Sequence, residues 1–413
     1  YVSDNLRGDP GTTCVLKLER PTADSTYIPM ELKITRGTIR TNPVPYYGMV
    51  DKNIGYIAIS TFAIEGCSKD IKKALIELKQ QGATSIVLDL RGNGGGLLSE
   101  AVNVVNFFVP KGKEIVVTKG KIKQAGSTYK TSNEPIDMEI PLTVLVDGAT
   151  ASAAEIVSGS LQDLDRAVIV GNRTYGKGLV QVPRELPYNS SMKVTTAKYY
   201  IPSGRCIQAI DYAKRNADGS VARIPDSLTT VFHTAAGREV RDGGGIRPDV
   251  EVKAERFPNI MFYLLNDDMI FDYATQYCIK HPNIGEVKDF SVTDADYDDF
   301  KQMLKKRNFT YDRQSEKSLK NLKEIAEFEG YMEGASEEFA ALEKKLTHNL
   351  DHELNRFSKQ IRKAIAEEIV KRHYFQRGVI LERMKDDADL TKAIETLKDK
   401  EGYTKILSVP ADK

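Results

Sequence analysis

The stretch that most restricts this chain is Ser85-Ile86-Val87-Leu88-Asp89-Leu90, which runs straight into Arg91-Gly92-Asn93-Gly94-Gly95-Gly96. A short, nearly continuous apolar run stopped by glycines is the pattern of a strand buried on both faces, as in a parallel sheet covered by helices. Beyond the glycines the periodicity turns helical over residues 97–107, so the loop converts a buried strand into a helix. The same alternation recurs on both sides. It predicts a strand at 54–59, a helix at 67–80 with Ile71, Ala74, Leu75 and Leu78 on one face, a strand at 142–146, a helix at 151–164 and a strand at 167–170. Strands alternating with helices predict an α/β domain, here spanning 41–253.

The remaining residues are patterned differently. At about 100–200 residues per domain, 413 residues leave room for two to four domains. Within 1–40, two runs of alternating apolar and polar residues predict two strands around a polar loop. Two strands are marginal alone, so they join a neighbouring domain or close a domain whose front lies upstream. Over 254–413 glycines thin out, charge rises and helical periodicity takes over, clearest at Leu342, Leu346, Leu350, Leu354, Phe357, Ile361, Ile365 and Ile369. Spacings of four make that seam drift around the helix. We read one long helix packed on neighbours, with a self-associating coiled coil as the alternative; a homo-oligomer stays open.

Composition removes several classes. Lys+Arg of 59 against Asp+Glu of 58 gives a formal charge of +1, which offers no net field for a polyanion, so nucleic acid is not an expected partner. No apolar run approaches the roughly 20 residues that cross a bilayer. Cys14, Cys67, Cys206 and Cys278 form no C-x-x-C pair and read as isolated, mostly buried thiols, neither a zinc site nor a redox motif. The chain opens at Tyr1 without a basic-then-apolar leader, so compartment is not legible from this terminus.

Three glycine- or small-residue segments stand at predicted strand ends. The first, Arg91 to Gly96, fails the dinucleotide fingerprint because Leu97 stands where the last Gly or Ala is required. Its uncovered backbone N–H groups suit an anion or oxyanion, or simply a tight turn. Another, Gly171 to Gly178, imitates a phosphate-binding loop, but Gly178 replaces the Ser or Thr that ligates Mg²⁺, and the next residues read as a strand closed by Pro183. Nucleotide binding there is the weaker reading, and Lys177 is left between glycines. The remaining segment, Thr150-Ala151-Ser152-Ala153-Ala154-Glu155, puts Ser152 at a helix start, either as an N-cap or as a nucleophile whose oxyanion meets the helix N-terminus and the Ala153 N–H.

A serine nucleophile needs a base, and counting makes histidine an unpromising one. All five histidines lie beyond these segments. His348 and His352 have metal-compatible spacing but fall out of phase with Leu346, Leu350 and Leu354, and His233 lacks an evident orienting carboxylate. Lys177 is the better candidate, with Gln181 four residues on along a strand, on the same face, to orient the amine. An amine acts as a base only when neutral, which apolar burial favours. Ser152, Lys177 and Gln181 would then form a Ser-Lys arrangement. Asp163, about 16 Å along the helix from Ser152, reads as structural.

At these residues the chain resembles the C-terminal processing peptidases, or tail-specific proteases. The resemblance rests on Gly55-Tyr56-Ile57 with Phe62, Asp89 to Gly96, Thr150 to Ile156, Thr174 to Gln181, Tyr199 to Arg205 and Gly243 to Val250, over about residues 44–252. It implies a crotonase-like α/β core, a nucleophile at Ser152, a base at Lys177, Gln181 beside it, and oxyanion donors in the backbone of Gly96 and Ala153. No cofactor and no metal are implied. Residues 1–40 resemble the second half of a PDZ domain, and 254–413 the helical C-terminal extension of some bacterial members. The expected activity is endoproteolysis, through an acyl-enzyme, of unfolded polypeptides with loose, apolar C-termini, in an exported, periplasmic setting. The alternative is a non-catalytic peptide-binding scaffold.

Overall fold

The computed structural model describes residues 1–413 except 23–25, 122–125, 216–217, 254, 256, 347–348 and 409–413. Two compact units divide the chain: Tyr1–Thr38 with Glu255–Asp386, and Ile39–Ala254 with Asp387–Lys413. These units do not follow the boundaries drawn from sequence, because the last segment of the 254–413 extension packs within the α/β unit.

In the first unit a short helix, α1 (Val2–Leu6), precedes two strands, β1 (Thr13–Pro21) and β2 (Tyr27–Thr35), paired antiparallel from Thr13↔Thr35 to Pro21↔Tyr27. This is the strand pair expected from the alternating pattern.

The α/β unit begins with β3 (Tyr46–Asp51), β4 (Ile54–Ala58), α2 (Cys67–Gln80), β5 (Ser85–Asp89) and α3 (Leu98–Val105). It continues through β6 (Glu114–Gly120), β7 (Ser127–Lys130), β8 (Leu142–Val146), α4 (Ala153–Asp163) and β9 (Val168–Gly171). Then come a long hairpin, β10 (Leu179–Leu186) and β11 (Ser190–Tyr200), two short ones, β12 (Ile210–Arg215) with β13 (Val221–Arg223) and β14 (Val231–His233) with β15 (Glu239–Arg241), and finally β16 (Val250–Glu251). The main sheet has the order β16-β9-β8-β5-β4-β3, parallel except where β3 meets β4. Every residue of β4, β5 and β8 is buried, as a parallel sheet covered on both faces requires. Ile71, Ala74, Leu75 and Leu78 of α2, Val104 and Val105 of α3 and Val157 and Leu161 of α4 share one core with Ile57, Ile86, Leu88 and Val144 of the sheet.

A second sheet has the order β10-β11-β6-β7, with β10 on its edge. Here the strand expected to stop at Pro183 continues through it. Proline removes a donor, and an edge strand has one side on which no neighbour asks for it.

The first unit resumes with α5 (Asn259–Asn266), α6 (Met269–Lys280), α7 (Asp294–Lys306), α8 (Gln314–Phe328), α9 (Met332–Leu346), α10 (Leu350–Arg356) and α11 (Ser358–Met384). The single long helix expected along the Leu342–Ile369 seam is therefore three helices. Asn349 caps α10 by accepting from the His352 N–H at 3.0 Å, and Phe357, at φ −104° and ψ 18°, interrupts the helical backbone before α11. Leu354, Ile361, Ile365 and Ile369 are fully buried, whereas Leu342 is 42% exposed, so the seam becomes a core only after the break. Two helices close the chain within the α/β unit: α12 (Ala388–Lys398) and α13 (Lys400–Leu407). Leu390, Ala393 and Leu397 are buried where α12 lies against β5, β8 and β9. All four cysteines are free, and only Cys67 is buried, fewer than expected.

Candidate active site

The Ser152 turn is built first by β8, which delivers the chain to Asp147. The Asp147 carboxylate accepts from the N–H groups of Ala149 and Thr150, at 3.0 and 2.9 Å, and from the Gly92 N–H of the glycine loop at 3.0 Å. Thr150 Oγ1 donates across to the Leu90 carbonyl at 2.8 Å. Ser152 then sits at φ 57°, ψ −118° on the N-cap of α4, a conformation that non-glycine residues avoid and that costs about 1–3 kcal/mol. Strain of this kind persists only where surrounding contacts enforce it. Here α4 is buried along its whole length.

The glycine loop folds against that turn. Asn93 is fully buried; its Nδ2 donates to the Ile59 carbonyl at 2.8 Å, its Oδ1 accepts the Gly95 N–H at 2.9 Å, and its carbonyl accepts the Ala151 N–H at 2.9 Å. A Cβ on Gly95 (φ +96°) would lie 2.7 Å from the Ala151 carbonyl oxygen and 2.8 Å from Ser152 Cβ. On Gly96 (φ +149°) it would lie 2.0 Å from the Phe62 carbonyl carbon. Only glycine lets the loop approach the serine this closely.

Lys177 lies in the loop between β9 and β10. Its carbonyl accepts from the Tyr199 hydroxyl, which also stands 3.3 Å from the Ser152 carbonyl oxygen. Burial raises the Tyr199 hydroxyl well above the usual tyrosine range, so it remains a donor. Gln181 follows a β-bulge between Val180 and Gln181. The strand argument that put Lys177 and Gln181 on one face therefore does not apply: Lys177 precedes the strand, and the bulge resets the alternation.

One pocket of about 390 Å³ is nevertheless lined by Ser152, Lys177, Gln181, Gly96 and Ala153 together, with Tyr199, Lys193 and apolar side chains around them. Among the described residues, the Gly96 and Ala153 N–H groups have no backbone acceptor. A larger cavity, about 710 Å³, lies near Arg173, Arg205 and Asp249. Its charged groups are drawn into ion pairs such as Arg173–Asp226 and Arg205–Asp163, so size does not make it the reactive site. Asp163 and Arg205, both buried, form a structural pair, and burial raises the carboxyl of Asp163.

Sequence reasoning missed the residue that ties these parts together. Glu155, with no exposed surface, accepts the N–H groups of Ser152 (2.9 Å), Gly176 (2.7 Å) and Lys177 (2.9 Å) and the Thr174 hydroxyl (2.5 Å). One carboxylate thus joins the serine turn to the lysine loop. Burial pushes its carboxyl above the usual glutamate range, against the pull of those four donors. The signal was present: an acidic residue three positions after a helix-starting serine is the capping-box pattern.

No histidine lines this pocket. The His348–His352 pair falls outside the described residues at His348, and among the described residues no cluster of His, Cys, Asp or Glu is arranged to hold a metal ion. The loop that imitates a phosphate-binding segment runs into β10 rather than a helix. Among the described residues no helix is long and apolar enough to cross a membrane. Chemically, a strained serine at a helix N-terminus, an amine and two open N–H groups in one pocket are the parts that acyl transfer requires.

Comparison with known proteins agrees. Residues 53–214 match the model of peptidase family S41, and residues 260–397 match that of the probable PDZ-protease C-terminal helical domain. The carboxy-terminal-processing protease of Bartonella bacilliformis is 38% identical over 213 residues, 50% of this chain and 47% of its own length. A carboxyl-terminal-processing protease of Picosynechococcus is 40% identical over 200 residues, 48% of this chain and 46% of its own. A solved structure, the photosystem II D1 C-terminal processing protease, aligns at 30% identity over 62% of this chain and 60% of that one, with a TM-score of 0.40. Residues 53–214 are thus similar to peptidase family S41, and the chain resembles its C-terminal processing peptidases, with a mixed α/β core and a C-terminal helical domain. It spans about half the length of the curated relatives it matches.

Proposed function

We propose that this chain is a serine endopeptidase working through Ser152, Lys177 and Gln181. Neutral Lys177 takes the proton from Ser152 Oγ as that oxygen attacks a peptide carbonyl. The Gly96 and Ala153 N–H groups hold the oxyanion, aided by the N-terminus of α4. Lys177 returns its proton to the departing amine, leaving an ester on Ser152. It then takes a proton from the water that hydrolyses the ester, and gives it back to Ser152 as the acid leaves. Gln181 orients the amine. The observation that carries this reading is the single pocket lined by all five residues, drawn from the glycine loop, the start of α4 and the segment from Lys177 into β10.

The relatives' printed names support polypeptide substrates processed near the carboxyl terminus, and we extend that to loose, apolar tails. We read β1 and β2 as the closing strands of a PDZ domain, and the working compartment as periplasmic or otherwise exported. The test is mass spectrometry of a loosely folded protein with an apolar C-terminus, incubated with the parent chain, Ser152→Ala and Lys177→Ala. Cleavage by the parent alone is expected. Equal cleavage by Lys177→Ala would overturn the base assignment, and binding without product from any of them would favour a peptide-binding scaffold.

A further inference from the structure

The glycine loop is anchored at its far end by the Phe62 backbone and in its middle by Asn93. Its entrance is held from the other end of the chain. Arg91, the first loop residue, sends its guanidinium to Asp89 at the end of β5, with Nε 3.0 Å from Oδ1 and Nη2 2.6 Å from Oδ2. On its other side it meets the start of α12: Nη1 and Nη2 reach the two carboxylate oxygens of Asp387 at 2.9 and 2.6 Å, and Nη1 reaches Asp389 at 3.1 Å. Tyr56 adds a hydroxyl to Asp89 at 2.6 Å. The side chains of Asp89 and Asp387 are each 9% exposed, so solvent screens this cluster weakly.

We infer that Asp387 and Asp389 of the C-terminal segment act through Arg91 as positioning residues for the oxyanion-binding glycine loop, making that segment part of the catalytic core. The inference rests on the peptidase reading for its catalytic consequence and on geometry for the clamp. Glycines offer the loop no side chains of their own to anchor, so its path depends on the residues between them. Gly92 follows Arg91 at φ +70°, and its N–H is bonded to Asp147, five residues before Ser152. A shift of Arg91 therefore reaches both walls of the pocket. The fork is matched to its partners as only a guanidinium can be, two parallel bonds to Asp387 and a second pair to Asp89. One cation also faces three carboxylates, which tolerate each other only while Arg91 stays in place.

Asp387 caps α12 as well, accepting from the Leu390 N–H at 3.0 Å. Asparagine caps as effectively as aspartate, so Asp387→Asn removes the charge and leaves the helix start intact. In the full chain, Asp387→Asn with Asp389→Asn should lower kcat about ten-fold, short of the 10²–10³ expected for losing an oxyanion donor outright. KM should stay within about two-fold. Amide exchange over 92–97 should accelerate while that of α4 does not. Arg91→Lys, which keeps charge and loses the fork, should move the same quantities in the same direction. If the double variant does not fold, Asp389→Asn alone gives the same split at smaller size. Parental kcat together with parental exchange over 92–97 overturns the inference; so does a loss confined to KM. If the parent itself cleaves nothing, the peptidase reading fails, and the exchange measurement still decides the clamp.

Discussion

The glycine loop and the lysine loop face each other across one pocket, yet they are secured in opposite ways. Residues 91–96 are held by several partners: the Ile59 carbonyl through Asn93, Asp89 and Asp387 through Arg91, Asp147 through the Gly92 N–H, and the Phe62 backbone. Residues 174–177 have backbone bonds to Ile246, Thr150 and Ala209, but converge on one buried charge, the Glu155 carboxylate, which takes Thr174, Gly176 and Lys177 as well as Ser152. The first arrangement spreads its polar debt and concentrates its sensitivity in volume at Gly95 and Gly96, which lie against the Ala151 and Phe62 backbone. The second is exposed to a single polar change. Two loops that line the same pocket thus fail for different reasons.

The largest effect should come from volume. Gly96→Ala places a methyl 2.0 Å from the Phe62 carbonyl carbon at a backbone angle closed to alanine. We expect no measurable hydrolysis and a loss of about 4 kcal/mol or more, the range reserved for severe core lesions. A urea titration and an activity assay check it. Parental stability would break the claim that the glycine loop is limited by volume.

Next comes Glu155→Gln. One carboxylate oxygen becomes an NH₂ group turned toward N–H or O–H donors, so two of the four bonds are lost whichever way the amide faces. A buried donor left unpaired costs about 1–3 kcal/mol; the NH₂ group opposes either the Ser152 and Lys177 N–H groups, which share Oε2, or the Thr174 hydroxyl and Gly176 N–H, which share Oε1, so one side of the hub is lost in each case. Expected is a fall of about 10² in kcat with a lower melting temperature; kcat within about two-fold of the parent would mean that the lysine loop has other support.

The pH dependence sharpens the same contrast. Because burial raises the Glu155 carboxyl, the folded state favours the neutral acid. That contribution is full below the unfolded glutamate value of about 4.3 and is lost as pH rises through the folded value. Relative to Glu155→Gln, the parent's melting temperature should therefore decline as pH increases above about 4.3. A gap between the two that does not change with pH would refute the assignment.

What the sequence revealed divides along the range of the interactions. The buried strand before Arg91, the helix starting at Ser152 and the glycines around Lys177 are local signals, and β4, β5, β8, β9 and α2 lie within a residue of expectation. Gln181 reached the expected pocket by a different route, through a bulge that periodicity does not encode. Glu155 was legible as a cap but not as a hub, since its other partners lie 19 to 22 residues away. The return of α12 to the sheet was not legible at all. Asp387 meets Arg91 across 296 residues, and nothing in the charge-rich composition of 254–413 distinguishes that aspartate from its neighbours. The breaks near residues 349 and 357 were hidden by an apolar spacing that continues across them.

The smallest effect tests whether the Glu155 hub is additive. Thr174 Oγ1 donates to Glu155 and accepts the Ile246 N–H at 2.7 Å, so it links the hub to the segment before β16. Thr174→Val keeps the shape and removes both bonds; Thr174→Ser keeps both and loses only a methyl. Three donors still reach Glu155 in the valine variant, and Ser152 and Lys177 keep their tether. A loss of about 1–2 kcal/mol in stability is expected for valine, with kcat reduced several-fold at most, and less for serine. Should valine lower kcat as far as Glu155→Gln, the hydroxyl would be the part of the hub that orders the lysine loop, and the carboxylate would serve chiefly to hold that hydroxyl.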